Sequence, residues 1–152
     1  MPIPKLNISG ELPEGIHEAT LDEIQEAFGS SSEQRQRLMT GLLAACENFR
    51  AAGVVDVFVN GSFVTDKPEP ADIDGCWSGV GNIDETKLDE LFWNFETEDD
   101  CARFRQLAKA KYGVDFFIAE WVEGSSGKPF PAFFQSNRDN EAKGILKVTL
   151  NR

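Results

Sequence analysis

Two prolines separated by one residue, Pro68 and Pro70, lie between two β-rich runs and dictate how this chain turns back on itself. Each proline pushes its predecessor out of the helical region, so Lys67-Pro68-Glu69-Pro70 reads as a turn. Before it, Val54-Val55-Asp56-Val57-Phe58-Val59 is rich in β-branched and aromatic residues and reads as a strand. After it, Ala71 to Trp77 forms a second short strand. Gly61-Ser62 opens the connection and Asp72-Ile73-Asp74 closes it after a gap of nine residues. On a strand, residues i and i+2 share a face, so Asp72 and Asp74 project together, roughly 6–7 Å apart at the backbone. One or two divalent cations span such a separation.

The rest of the chain frames this turn with helices and further strands. Residues 1–19 are rich in Pro and Gly without a period, and are expected to form an extended arm or lid ending at Gly15-Ile16-His17-Glu18-Ala19. Thr20 with Glu23 makes a capping box, and Leu21, Ile24 and Phe28 give a short helix that stops at Gly29. Ser30 with Glu33 repeats the signal. A helix over about 31–52 then carries Leu38, Leu42, Cys46 and Phe49 on one stripe, with Gly53 as its cap. Helices are also expected over about 85–93, begun by Asp84, and from Thr97 to Gly113. In the latter, Glu98, Asp99 and Asp100 at the start and Lys109 and Lys111 at the end suit the helix dipole. Strands are expected over 114–122 and 144–150, a turn of helix or strand over 130–134, and a turn at Asp139-Asn140. Such alternation predicts an α/β (α+β) fold, a mixed β-sheet with helices packed on it, in a single domain over 1–152.

The Gly61-Ser62 pair, the nine-residue gap, Asp72-Ile73-Asp74 and the later run Val114-Asp115-Phe116-Phe117-Ile118 together resemble the signature of the DNA polymerase β-like nucleotidyltransferase superfamily. The resemblance is closest to its minimal, single-domain bacterial members. It implies a nucleotidyltransferase-like fold and transfer of a nucleoside monophosphate from a nucleoside triphosphate to a hydroxyl, with pyrophosphate released. Asp72, Asp74 and Asp115 are implied as the catalytic carboxylates that hold Mg²⁺, with Asp115 also helping to deprotonate the attacking hydroxyl. Gly61 and Ser62 are implied as triphosphate contacts, and Thr65 and Lys67 are secondary substrate-binding candidates in the turn. Minimal members of that family often act with a separate partner protein, frequently in toxin–antitoxin pairs, so a partner protein is expected here too. Three features depart from the pattern: Asn60 stands where an apolar residue is usual, the gap is at the short end, and Gly75 follows Asp74 where an apolar residue is common.

Charge narrows the partners. The formal net charge is −11, which argues against general binding of nucleic acid through its phosphates. The distribution is uneven: the C-terminal basic segment, residues 128–152, holds five basic groups (Lys128, Arg138, Lys143, Lys147, Arg152) against Asp139 and Glu141, and carries the expected last strand. That segment could hold a nucleotide phosphate, although Lys143 itself is expected to be a solvated charge. Three widely spaced cysteines (Cys46, Cys76, Cys101) argue against a disulfide framework and fit a reducing compartment. No run approaches the length of a membrane span and no signal-peptide pattern opens the chain, so cytoplasm is expected.

Two other motif readings fail. An EF-hand at Asp72 would need Glu where Ile83 stands, and a phosphate loop at Gly127-Lys128 is broken by Val122 and Pro129. His17 reads as a structural or lid residue, and Phe116-Phe117 and Phe133-Phe134 read mainly as core. Two non-enzymatic readings stay open: a binding module or antitoxin that keeps the fold and acts by partner contact, and a nucleotide or cation sensor that binds without transfer.

Overall fold

Burial begins on the long helix α2 (Glu33–Ala52), in a computed structural model that describes residues 3–150. Leu38, Met39, Leu42, Ala45, Cys46 and Phe49 recur at helical spacing and are buried in the main core. Ser32 caps the helix by accepting from Arg35 N at 3.1 Å, and Gly53 ends it at φ 93°. Helix α1 (Leu21–Phe28) has the reciprocal Thr20–Glu23 capping box. Helix α3 (Glu98–Tyr112) starts at the Thr97 cap and stops at Gly113, φ 75°.

The strands are β1 (Gly15–Glu18), β2 (Asp56–Asn60), β3 (Ile73–Trp77), β4 (Val114–Ile118) and β5 (Gly144–Thr149). They form one sheet in the order β1-β5-β2-β3-β4. β2 runs antiparallel to β5 and β3, while β1/β5 and β3/β4 are parallel pairs. The fold is therefore α+β with a mixed sheet, as the sequence predicts. No helix among the described residues is long and apolar enough to cross a membrane.

Strand alternation divides the sheet into two faces. Val57, Val59, Ile73, Trp77, Val114 and Phe116 join the core under α2 and α3. Phe58, Cys76 and Phe117 turn the other way, into a smaller cluster with Phe130, Phe133 and Phe134 around the short helix α4 (Phe130–Phe133). By the same parity Asn60, Asp74 and Asp115 belong to this second face.

Several boundaries differ from expectation. Residues 3–14 precede a true strand, because Gly15–Glu18 pairs with β5, and Leu12 is 1% exposed. The N-terminal segment is thus built into the sheet rather than poised as a lid; His17 bonds the Pro13 carbonyl at 2.7 Å. Met1, Pro2 and the basic Arg152 lie outside the described residues. The capping signal of Ser30 is superseded by Ser32. No helix spans 85–93: Asp89 accepts from Leu91 N, Lys111 and Tyr112, and its own N–H donates to Asn48 Oδ1, so only a 3₁₀ turn, Glu90–Phe92, remains. Those tertiary bonds override the local helical signal. Strand β4 ends at Ile118 because the chain turns there, Trp121 N bonding Ile118 O at 3.0 Å.

One buried cation ties α2 to the turn after β2. Arg35 is 3% exposed, and its guanidinium donates to four backbone carbonyls. Nη1 reaches Phe28 O (2.9 Å) and Phe63 O (2.7 Å); Nη2 reaches Thr65 O (2.9 Å) and Lys67 O (2.5 Å). Burial lowers its pKa, so the charge is held by those dipoles at an energetic cost. Three of the four acceptors lie in the turn between β2 and β3. Replacing Arg35 with Ala leaves them unpaired and should lower stability by about 3 kcal/mol, with Arg35→Lys intermediate. Urea denaturation of the three proteins checks this; an unchanged midpoint for Arg35→Ala would remove Arg35 as the anchor of the turn.

Candidate functional site

Sheet register assembles the site. Asp74 on β3 pairs with Asn60 on β2 and with Asp115 on β4, so three strands place these side chains in a row on the second face. Asp72, two residues before Asp74, joins from the same side. One carboxylate oxygen from each of Asp72, Asp74 and Asp115 lies within 4.8 Å of the others. Three negative charges at that spacing disfavour their own ionisation. Burial, then Asp72 and Asp115, push the Asp74 carboxyl up to about 6, against the pull of Lys109 and Lys143.

Two cations on α3 answer the other carboxylates. Arg105 grips Asp115 with two bonds, Nε to Oδ1 at 2.7 Å and Nη2 to Oδ2 at 2.9 Å, and lies 4.2 Å over the Phe117 ring. Lys109 Nζ is 3.1 Å from Asp72 Oδ2. The two cations are four residues apart and so share a helix face. Bonding to these carboxylates raises the pKa of both Arg105 and Lys109. In the sequence Lys109 signals only a dipole partner, and Arg105 is one more charge on the helix. The available signal was the connection: α3 runs into β4 through Gly113 alone, so one stripe of α3 must border the start of that strand.

The turn is shaped to meet these carboxylates. Gly61 adopts φ 82° and ψ −165°, a region essentially reserved for glycine. A Cβ there would also collide with the Asp74 carboxylate. Ser62 begins a 3₁₀ turn (Ser62–Val64), and Thr65 Oγ1 donates to Ser62 O at 2.7 Å. A cleft of about 540 Å³ opens here, with Gly61, Ser62, Thr65, Lys67, Asp72 and Asp74 along one side. Phe134, Ser136, Asn137, Arg138 and Lys143 line it as well. Its volume lies in the range of ligand sites. Six of the seven site residues expected from sequence therefore border one cleft, and the seventh, Asp115, touches the same carboxylate cluster without lining it. A larger cleft of about 620 Å³, between β5 and the start of α1, contains none of these residues.

Lys143 corrects one expectation. It is not a solvated charge: Nζ donates to Asn60 Oδ1 at 2.8 Å, and burial lowers its pKa although Glu11 and Asp74 pull the other way. Asn60 is 3% exposed, and its Oδ1 also accepts from Gly61 N. Gly75 likewise has a local reason, since a Cβ there would collide with Phe58 O and press on the Phe116 ring.

The carboxylate cluster predicts a pH signature. The ordinary Asp74 value is 3.8 and the folded value is near 6, so ionisation is disfavoured in the folded state. The folded state therefore binds the proton more tightly, and stability falls as pH rises from about 4 through about 6. In the absence of divalent cations, Asp74→Asn should be more stable than wild type at pH 7–8, by on the order of 1–2 kcal/mol after allowing for partial exposure. Denaturant midpoints between pH 4 and 8 check this, and a flat difference between the two proteins across that range would contradict it.

Comparison with known proteins places the chain in a family. No curated protein and no solved structure matches it significantly. A family model described as a family of unknown function, DUF6932, matches residues 4–149. That match covers nearly the whole chain, which belongs to this family.

Proposed function

We propose that this protein is a Mg²⁺-dependent nucleotidyltransferase that moves a nucleoside monophosphate from a nucleoside triphosphate onto a hydroxyl of an acceptor. The observation that carries the reading is the meeting of Asp72, Asp74 and Asp115 within 4.8 Å, beside a Gly61–Ser62 turn and a cleft with Lys67, Arg138 and Lys143 in its walls. Carboxylate oxygens are the donors Mg²⁺ prefers, and burial together with the Asp72 and Asp115 charges makes the ionised Asp74 costly, a cost that a bound dication would offset. The residues therefore fit the ion: Asp72 and Asp74 would hold it, with Asp115 as the third ligand. When bound, it would supply charge neutralisation at the phosphoryl oxygens.

The chain's own groups do the remaining work. The Gly61 backbone and the Ser62 hydroxyl face triphosphate oxygens, and Lys67 and Arg138 offset their charge. The acceptor oxygen bonds to the α-phosphorus, the α–β bridging bond breaks, and pyrophosphate leaves with that electron pair. The hydroxyl proton passes to Asp115, which requires Arg105 to move off its two-pronged contact. A partner protein supplying acceptor contacts, in a toxin–antitoxin pair or otherwise, belongs to the same proposal. So does a cytoplasmic setting, with Cys46 and Cys76 buried and unpaired.

One observation favours a second reading. Asp115 and Asp72 already have cationic partners in Arg105 and Lys109, an arrangement that suits a non-catalytic module acting by partner contact. Calorimetry with Mg²⁺ and each of four nucleoside triphosphates separates the two. The transferase reading expects metal-dependent binding of a triphosphate, lost in Asp72→Asn/Asp74→Asn. Absence of binding at millimolar triphosphate favours the contact module.

A further inference from the structure

Lys143 differs from the other cations of the site in what it bonds. Arg105 and Lys109 each contact a carboxylate directly. Lys143 instead donates to the neutral side-chain oxygen of Asn60, at 2.8 Å, and no ion pair within 4.0 Å is found for it among the described residues. An ammonium group carries three donors, and a partly buried one with no carboxylate in bonding contact is costly. The Asn60 contact satisfies one donor, and Lys143 lines the same cleft as Gly61 and Ser62. Simple neutralisation of Asp74 would be served better by a direct ion pair of the kind Arg105 makes.

Asn60 points to the same conclusion from the other side. Strand β2 needs no amide at its last position, and Asn60 is 3% exposed, where an apolar side chain would be cheaper. Its oxygen accepts from both Gly61 N and Lys143 Nζ. One buried amide thus fixes the glycine turn and the lysine relative to each other.

We propose that Lys143 binds the triphosphate of the donor nucleotide and that Asn60 is the positioning residue that aims it into the cleft. This deepens the nucleotidyltransferase reading and rests on it for the identity of the anion. The Lys143 ammonium approaches the anion from the β5 side, while the Gly61–Ser62 backbone meets it from the turn.

The test uses the full chain and inorganic tripolyphosphate, titrated calorimetrically in EDTA at low ionic strength. A charge-assisted contact of this kind predicts that Lys143→Ala weakens binding by at least about tenfold, while Lys143→Arg stays within about threefold of wild type. Asn60→Leu, which keeps the lysine but removes its tether, should fall between them. Mn²⁺ binding at the carboxylates, followed by electron paramagnetic resonance, should be retained in Lys143→Ala. Equal affinity of wild type and Lys143→Ala for tripolyphosphate, or no binding by wild type, overturns the proposal. Lower stability of Lys143→Ala with unchanged anion affinity also overturns it, since a purely structural role gives that result. The two readings fail separately: loss of metal-dependent triphosphate binding in Asp72→Asn/Asp74→Asn alongside an indifferent Lys143→Ala leaves the transferase standing without this lysine. A Lys143-dependent anion site with no metal-dependent triphosphate binding leaves the lysine standing without the transferase.

Discussion

Three carboxylates drawn to one end of a sheet repel one another, and much of the surrounding architecture follows from managing that repulsion. Asp74 stands centrally, between Asn60 and Asp115 in the strand register, and burial together with the charges of Asp72 and Asp115 raises its pKa. Its neighbours are relieved from one direction, by Arg105 and Lys109 on a single stripe of α3. Because β4 follows α3 through one glycine, the helix that supplies the cations is fixed to the strand that supplies Asp115. Crossing the sheet at this level gives Lys143, Asn60, Asp74, Asp115 and Arg105: cation, amide, two anions, cation. Such a row is close to neutral in sum but strongly polar along its length, and among the described residues no cation bonds Asp74 directly.

The turn that faces these charges is held by a different solution to the same problem. Arg35 is buried without a carboxylate contact among the described residues and is stabilised by four carbonyl dipoles instead. Dipoles from the peptide backbone impose geometry in a way that a carboxylate does not, because each one fixes the orientation of a peptide plane. Phe28, Phe63, Thr65 and Lys67 are thereby set relative to α2, and with them the approach of Gly61 to Asp74. Two further tethers act from outside: Asp66 N bonds Gly10 O at 3.1 Å, and Gln34 Nε2 bonds Pro70 O at 2.9 Å. A turn nine residues long and containing two prolines is consequently shaped by long-range contacts as much as by its own sequence.

What could be read in advance was what depends on short-range pattern. Period-two alternation placed Asp72 and Asp74 on one face, capping chemistry located α1 and α3, and glycine marked the ends of α2 and α3. The mixed sheet was legible, but its order was not, since the pairing of β1 with β5 joins residues 15–18 to 144–147. A segment of four residues with one polar and one charged side chain carries too little signal to announce an edge strand. Arg35 was equally hidden: on a helix wheel it is one more polar residue, and only the carbonyls of a distant turn give it a reason to be buried. Lys143 was misjudged for a related reason. A lone lysine is usually solvated, and its bond to the buried Asn60 is what holds Lys143 in the cleft wall.

The departures from the nucleotidyltransferase pattern take on meaning as pairs rather than as single positions. Gly75 is small where bulk is common because the Phe58 carbonyl oxygen and the ring of Phe116, one strand over and in register with it, occupy the space of a Cβ. Asn60 is polar where an apolar residue is usual because Lys143, on the far side of the cleft wall, bonds its oxygen. In each case the residue and its partner are distant in sequence, 41 positions apart for Gly75 on β3 with Phe116 on β4, and 83 for Asn60 at the end of β2 with Lys143 just before β5. A pattern read along one stretch registers only half of each pair. The Phe116 ring stands beside Gly75, and the Asn60 oxygen accepts from both Lys143 Nζ and Gly61 N. Each of the two residues is thus matched to a neighbour far away in the sequence, and local choice and global fold agree at both positions beside the clustered carboxylates.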